Sequence, residues 1–354
     1  MPPDPPGGVS ILVVADPGLP TRRAHAVKDE LAALLNDSYS PPIAVHTATE
    51  TLRIRPDNTL DLRTAVQLSR EYEQPDAVLL LTEIPRLTDG RPLMAEIFPD
   101  EQVGVVSCPT LGAFASRRRI LDVLMSCTLR MKPTSERRDP TRFDRRWSEW
   151  SEADDHPGHL TLHGRAVTGG LRTVCGMVAG NDPWRTAPQL SSALAAASAA
   201  GAFGIFYSSI WAMSTYLSTL RLLGIGVAAM CAMIAWLIAS NGLWDRPNRV
   251  GLARTVLLYN LSTILTMVVC VLALYVALVA LILGGSLVVI SPNYMADIIG
   301  EVPSFMTYLD IAWLSAAMGV VAGALGSSFD STVDLRRLTH GQRERQRQFT
   351  EESS

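Results

Sequence analysis

Apolar and polar positions divide the chain into a first half of short elements and a second half of long apolar runs. Residues 10–15 (SILVVA) are an unbroken apolar run closed by Asp16, Pro17 and Gly18, the pattern of a buried strand ending in a turn. Thr21 stands where a helix N-cap is expected, and Ala24, Val27, Leu31, Leu34 and Leu35 keep helical spacing as far as Asn36. A strand near 43–47 follows Pro41 and Pro42, and a second helix is expected over about 62–73. Residues 76–82 (DAVLLLT) are the clearest strand in the chain, and 102–107 (QVGVVS) are another. A third helix is expected over about 116–130, with Ile120, Leu121, Val123, Leu124 and Leu129 apolar. Strands alternating with helices of this length predict a small cytosolic α/β domain over 9–132 with a mainly parallel sheet, preceded by a tail at 1–8.

Residues 133–163 change character. They open on a charged, Pro-containing stretch poor in aliphatics, which reads as a linker. Residues 164–187 are weakly amphipathic, carry Arg165 and Arg172, and lead through Trp184 and Arg185 to the apolar half, as an interfacial elbow helix would.

A bilayer core of ~30 Å takes about 20 apolar residues in a helix. Within 188–328 four stretches meet this, near 192–213, 222–240, 256–285 and 309–328, and together predict an all-α transmembrane domain of about four helices. The first is Ala/Gly/Ser-rich. The third exceeds one crossing, and Gly284 and Gly285 are expected to end or bend it. A basic tail, 329–354, follows.

Composition sharpens the division. Of the 354 residues only 18% are charged, against a typical ~25%. Before position 188 lie 22 of the 31 basic and 25 of the 34 acidic residues, so the charge deficit belongs to the second half. A net charge of −3 is no footprint of a nucleic-acid binder. The five cysteines are widely spaced with no CxxC, which predicts reduced, buried thiols. Residues 1–8 lack the basic and apolar segments of a signal peptide, so the first half is expected in the cytoplasm. The loop 241–254 carries Arg246, Arg249 and Arg254, the tail carries five arginines, and 291–308 carries none. The positive-inside rule then puts both termini and 241–254 inside a cytoplasmic membrane, with Arg221 discordant.

Several residues are candidates for chemistry. Asp16, Gly18, Thr21, Arg22 and Arg23 follow the first strand, where α/β folds bind ligands and where a helix N-terminus meets a phosphate, but neither GxGxxG nor GxxxxGK[ST] is present. Glu83 follows the DAVLLLT strand and would share a sheet edge with Asp16 if the two strands are parallel and adjacent, as a cation or acid–base pair would require. Arg117, Arg118 and Arg119 open the third helix against its dipole, a cost of a few tenths of a kcal/mol that suggests an anionic lipid, a nucleotide phosphate or an acidic partner; the alternative is a solvated face. His156, His159 and His163 have the spacing of a weak metal set, interrupted by Pro157 and Gly158. In the apolar half, Gly319 and Gly323 offer a close-packing face, and Asn260 offers an interhelical hydrogen bond. No Asp, Glu, Lys, Arg or His falls near a span centre, where ion-coupled transporters keep such groups.

The string VVADPGLPTRRA at 13–24, NDPW followed by Arg185, and NGLWDRP at 241–247 resemble a family of uncharacterised actinobacterial four-span integral membrane proteins. The resemblance implies a plasma-membrane protein. Some relatives carry a methylenetetrahydrofolate dehydrogenase label, which implies a Tyr-x-x-x-Lys pair. Here Ala24 stands four before Lys28 and Thr128 four before Lys132, so the residues do not support that label.

These readings predict a non-enzymatic membrane protein with a cytosolic ligand- or partner-binding α/β domain and a regulatory or scaffolding role. Its expected partners are the bilayer and a protein or second copy of the chain, with no nucleic acid and no assigned cofactor. A channel or transporter for a neutral or lipidic substrate is the first alternative. A nucleotide- or metal-dependent enzyme at the sheet edge is the second.

Overall fold

The computed structural model describes residues 8–40, 42–52, 75–88, 91–131, 150–152, 159–164, 166–183, 191–246 and 253–327. The expected helix at 62–73, most of the 133–163 linker, the tail at 1–7 and the basic tail lie outside the described residues. The chain divides into two compact units, one of Met1–Gly180, Pro247–Tyr259 and Arg343–Ser354 and the other of Asn181–Arg246 and Asn260–Gln342, so one boundary falls inside a long helix.

The first unit runs β1 (Val9–Ala15), α1 (Leu19–Ser38), β2 (Ile43–Thr49), β3 (Ala77–Thr82), β4 (Arg86–Thr88), β5 (Arg91–Phe98), β6 (Val103–Ser107), α2 (Cys108–Leu111), α3 (Arg117–Met131), β7 (Trp150–Glu152), β8 (Leu160–His163) and α4 (Ala166–Gly180). The strands form one sheet in the order β2-β1-β3-β6-β5-β8-β7, with β4 paired to β5. β1 and β3 are buried on both faces, which is why their sequences are continuously apolar instead of alternating. Ile11, Val13, Ala15, Leu79 and Leu81 join the inner faces of α1 and α3, while Leu12, Val14, Val78 and Leu80 pack with Ala48, Leu52, Val103 and Val105 on the other side.

The sheet is mixed, which corrects the expectation of a mainly parallel one. β2, β1, β3 and β6 are parallel neighbours, but β5, β4, β8 and β7 add antiparallel pairs. These strands escaped the sequence pattern for a physical reason. β5 holds a proline and a glutamate in its apolar run, and Glu96 is buried there by its ion pair with Arg86 and a 2.7 Å contact with His159. Strands β7 and β8 are only three and four residues long and fall in the stretch expected to be linker.

The second unit holds α5 (Ser191–Gly201), α6 (Phe203–Phe206), α7 (Ser208–Tyr216), α8 (Thr219–Ser240), α10 (Pro292–Ile299), α11 (Phe305–Ser327) and most of α9 (Ala253–Val289). Among the described residues three helices are long and apolar enough to cross a membrane: Thr219–Ser240, Arg254–Val289 and Phe305–Ala324. The expected first span is not a straight fourth. Leu194–Phe206 and Ser208–Tyr216 meet at 84°, because Tyr207 between them is extended (φ −98°, ψ 108°). The Trp211 indole compensates by donating to the Gly204 carbonyl at 2.9 Å.

A second correction concerns α9, which continues through Gly284 and Gly285 to Val289. Breaking a helix in an apolar environment would strand backbone groups, a larger cost than the weak helix propensity of two glycines. At 37 residues α9 is about 55 Å long, well beyond a ~30 Å hydrocarbon core.

Small residues set the packing of this unit. A methyl group at Gly319 on α11 would lie 2.4 Å from the Ala197 carbonyl of α5, so the two backbones touch there. One at Gly204 would lie on the Ser315 hydroxyl. Trp313 donates to the Leu222 carbonyl at 2.8 Å, and its own carbonyl accepts the Tyr275 hydroxyl at 2.9 Å, joining α8, α9 and α11.

Candidate functional site

The strand order reverses at β1, with β2 on one side and β3 on the other, so the carboxyl ends of β1 and β3 flank the place where open α/β sheets bind ligands. Asp16 lies there, as the sequence suggests, and it is fully buried. Its Oδ1 accepts the Leu52 amide at 2.9 Å, and its Oδ2 accepts the Thr82 hydroxyl at 2.8 Å and the Glu83 amide at 2.9 Å. Its backbone carbonyl accepts both the amide and the hydroxyl of Thr21. Asp16 therefore knits β1, the exit of β2 and β3 into one edge.

Arg23 is also turned inward. Its guanidinium donates to the carbonyls of Cys108 at 2.8 Å, Gly112 at 2.5 Å and Ala113 at 3.3 Å, which fixes α2 and the loop after it. Gly112 sits at φ 99°, a conformation glycine adopts without strain. Cys108 completes the neighbourhood. Burial pushes its thiol up to about 11, reinforced by Asp16 and Glu83 and opposed by Arg23. Such a thiol stays protonated and is a poor nucleophile at neutral pH.

The other predicted ligand residues are peripheral. Gly18 is exposed at φ 97° before α1. Pro20 carries no amide hydrogen, the Thr21 amide bonds Asp16 and the Arg22 amide bonds Gly18, so the donors that would grip a phosphate are largely spent. The Arg22 side chain is exposed, and Glu83 is buried beside Cys108 and Asp16. The edge residues Thr82, Ser107, Cys108 and Thr110 were not singled out from sequence. Their common signal is position, since Thr82 and Ser107 end strands and Cys108 and Thr110 lie in the short α2 that follows β6.

The structure separates the histidines. His159 precedes β8, accompanies Glu96 and stacks on Phe98 at 4.4 Å between ring centroids. His163 closes the same strand, about 13 Å away at the ~3.3 Å rise of an extended chain. His156 lies outside the described residues, and among those described no group of three metal-ligating side chains forms. Arg117 and Arg118 are exposed at the start of α3, and Arg119 is partly buried.

In the second unit Asn260 and Asp245 exchange two bonds: the Asp245 amide donates to Asn260 Oδ1 and Asn260 Nδ2 donates to the Asp245 carbonyl, each at 2.9 Å. Asn181 Nδ2 donates to Thr266 Oγ1 at 2.9 Å. Ser262 and Thr263 are buried on the same helix. Gly319 faces Ala197, and Gly323 is buried on α11. Comparison of the chain with models of protein families, with curated proteins and with solved structures finds no match.

Proposed function

We propose that the chain is an integral protein of the cytoplasmic membrane whose α/β unit binds a partner or small ligand without catalysing a reaction, and whose helical unit anchors that event in the bilayer. One observation carries this reading. The polar side chains at the sheet edge are spent on their own fold, with Asp16 holding three donors, Arg23 three carbonyls and Cys108 a protonated thiol.

The transporter alternative is less well supported. Asn260 and Thr266 bond the loop at Asp245 and the chain at Asn181, as structural contacts between segments would. The charged residues of the three long apolar helices, Arg221, Arg254 and Asp310, lie in their first two turns.

The sidedness we propose keeps both ends of the chain in the cytoplasm. Within the helical unit, Asn181 bonds α9 at Thr266 and the loop after α8 bonds α9 at Asn260, less than two turns apart. The chain thus joins this unit at the end that carries Arg246 and precedes Arg249 and Arg254, the basic end. α5 runs antiparallel to α11, since Ala197 meets Gly319 while Gly201 and Gly204 meet Ser315. The end of α11 therefore returns to the same side as the start of α5, even though the first crossing is bent.

Purifying the full chain from native membrane in mild detergent, with mass spectrometry of what accompanies it, tests the binding role. A protein or small molecule retained at fixed stoichiometry is expected. Substrate flux through proteoliposomes, or turnover of a retained molecule, would overturn the reading.

A further inference from the structure

The loop after α2 presents Phe114 wholly to solvent. An exposed aromatic alone needs no explanation, but three further features surround this one. The loop is stiff, since Arg23 grips the carbonyls of Gly112 and Ala113. Arg172 of α4 lies against Gly112, donates to the Thr110 carbonyl at 2.7 Å and reaches the buried Met94 sulfur at 3.2 Å, while the preceding Leu171 is exposed on the same helix. Arg119 stands close enough to Arg172 to lower its pKa, burial being the larger cause, while Arg117 and Arg118 extend the cationic surface into solvent. Cations outnumber anions here: segments 105–122 and 164–180 contain five arginines and a single acidic residue, Asp122. Packing does not call for such a grouping, because the three arginines oppose the dipole of α3.

We infer that Phe114, Leu171 and the arginines at 117–119 form a docking face for an anionic lipid surface, with Phe114 entering the headgroup region. The inference rests on the membrane reading above. Charge complementarity selects this occupant, because a cytoplasmic leaflet rich in anionic lipid attracts clustered arginines, and a rigid aromatic among cations is how peripheral segments hold an interface. Continuity selects it as well. α4, which carries Leu171, ends nine residues later at Gly180, and Asn181 is the first residue of the helical unit.

The test uses the full chain with Cys175→Ser and Cys231→Ser, carrying bimane on Phe114→Cys, in nanodiscs of pure phosphatidylcholine or of phosphatidylcholine with phosphatidylglycerol. Iodide access to the probe is expected to fall about fivefold in the anionic discs, with quenching by nitroxide lipid, and to recover in high salt or with Arg117→Glu plus Arg118→Glu. Equal iodide access in both lipids overturns the inference: free access means an idle face, and shielding in both means a protein contact instead. A second probe at Ile225→Cys, on the exposed face of α8, reads the membrane assignment separately. Quenched by nitroxide lipid in both discs, it leaves only the docking face in question; unquenched in both, it sinks the docking face and the membrane reading together.

Discussion

The carboxylate of Asp16 receives the Thr82 hydroxyl at 2.8 Å, so a side chain ties the carboxyl ends of β1 and β3 where α/β sheets ordinarily leave a crevice. A residue that looked like a ligand from its place after the first strand is, by geometry, a clasp.

The clasp predicts stability effects. Asp16→Ala strands the Leu52 amide, the Thr82 hydroxyl and the Glu83 amide without their acceptor, at a cost of about 2–5 kcal/mol. Asp16→Asn places an NH2 against a donor and costs less. Thermal melting of the full chain in detergent should rank wild type above Asn above Ala. An Ala variant that melts like wild type would mean the bonds contribute nothing.

The buried thiols predict an alkaline weakness. Burial raises Cys108 from an ordinary 9.0 to about 11 and Cys127 to about 12. The folded state then keeps protons that the unfolded chain releases, so stability is unaffected below about pH 9 and falls as pH climbs through these values. Melting temperature should decline from pH 9 to 11 less steeply in Cys108→Ala than in wild type. Parallel declines would remove the thiol from the account.

The Glu96 ion pair predicts a non-additive pair of variants. Glu96→Ala leaves the Arg86 guanidinium, which burial already lowers to about 10, without its carboxylate, and should cost about 3–5 kcal/mol. Arg86→Met with Glu96→Leu removes both charges and should lie within about 2 kcal/mol of wild type. Chemical denaturation of the two variants checks this, and equal losses would argue against a buried pair.

The sequence made some of this fold legible and hid the rest for identifiable reasons. β1, β3 and β6 announce themselves because both faces are buried, and α1 and α3 because one face is. β5 is concealed by Glu96, whose burial depends on Arg86 ten positions earlier and on His159 far along the chain, partners that local periodicity does not register. The apolar runs at α8, α9 and α11 are visible from hydrophobicity alone, whereas the bend at Tyr207 leaves no mark in that pattern, and the Gly204 approach to Ser315 joins residues more than a hundred apart. At the candidate site the sequence puts Asp16 and Glu83 each after a strand, and the pairing of β1 with β3 brings them to one edge, but the inward turn of Arg23 requires the α2 loop that receives it.

The contact at Ser315 gives a test inside the helical unit. Gly204→Ala would drive a methyl group into the Ser315 hydroxyl and should destabilise the unit by about 2 kcal/mol or more. Adding Ser315→Gly removes the obstacle and should recover most of the loss, measured by melting in detergent. No recovery in the double variant would place the fault elsewhere.

Single cysteines at Asp29 on α1 and Asn293 on α10, challenged with an impermeant maleimide in intact cells and in inverted vesicles, test the central claim most directly. The account predicts that the cysteine at 29 reacts only in inverted vesicles and the one at 293 only in intact cells, with the chain retained in carbonate-washed membranes. Labelling of position 29 from outside intact cells, or release of the chain by carbonate, would contradict it.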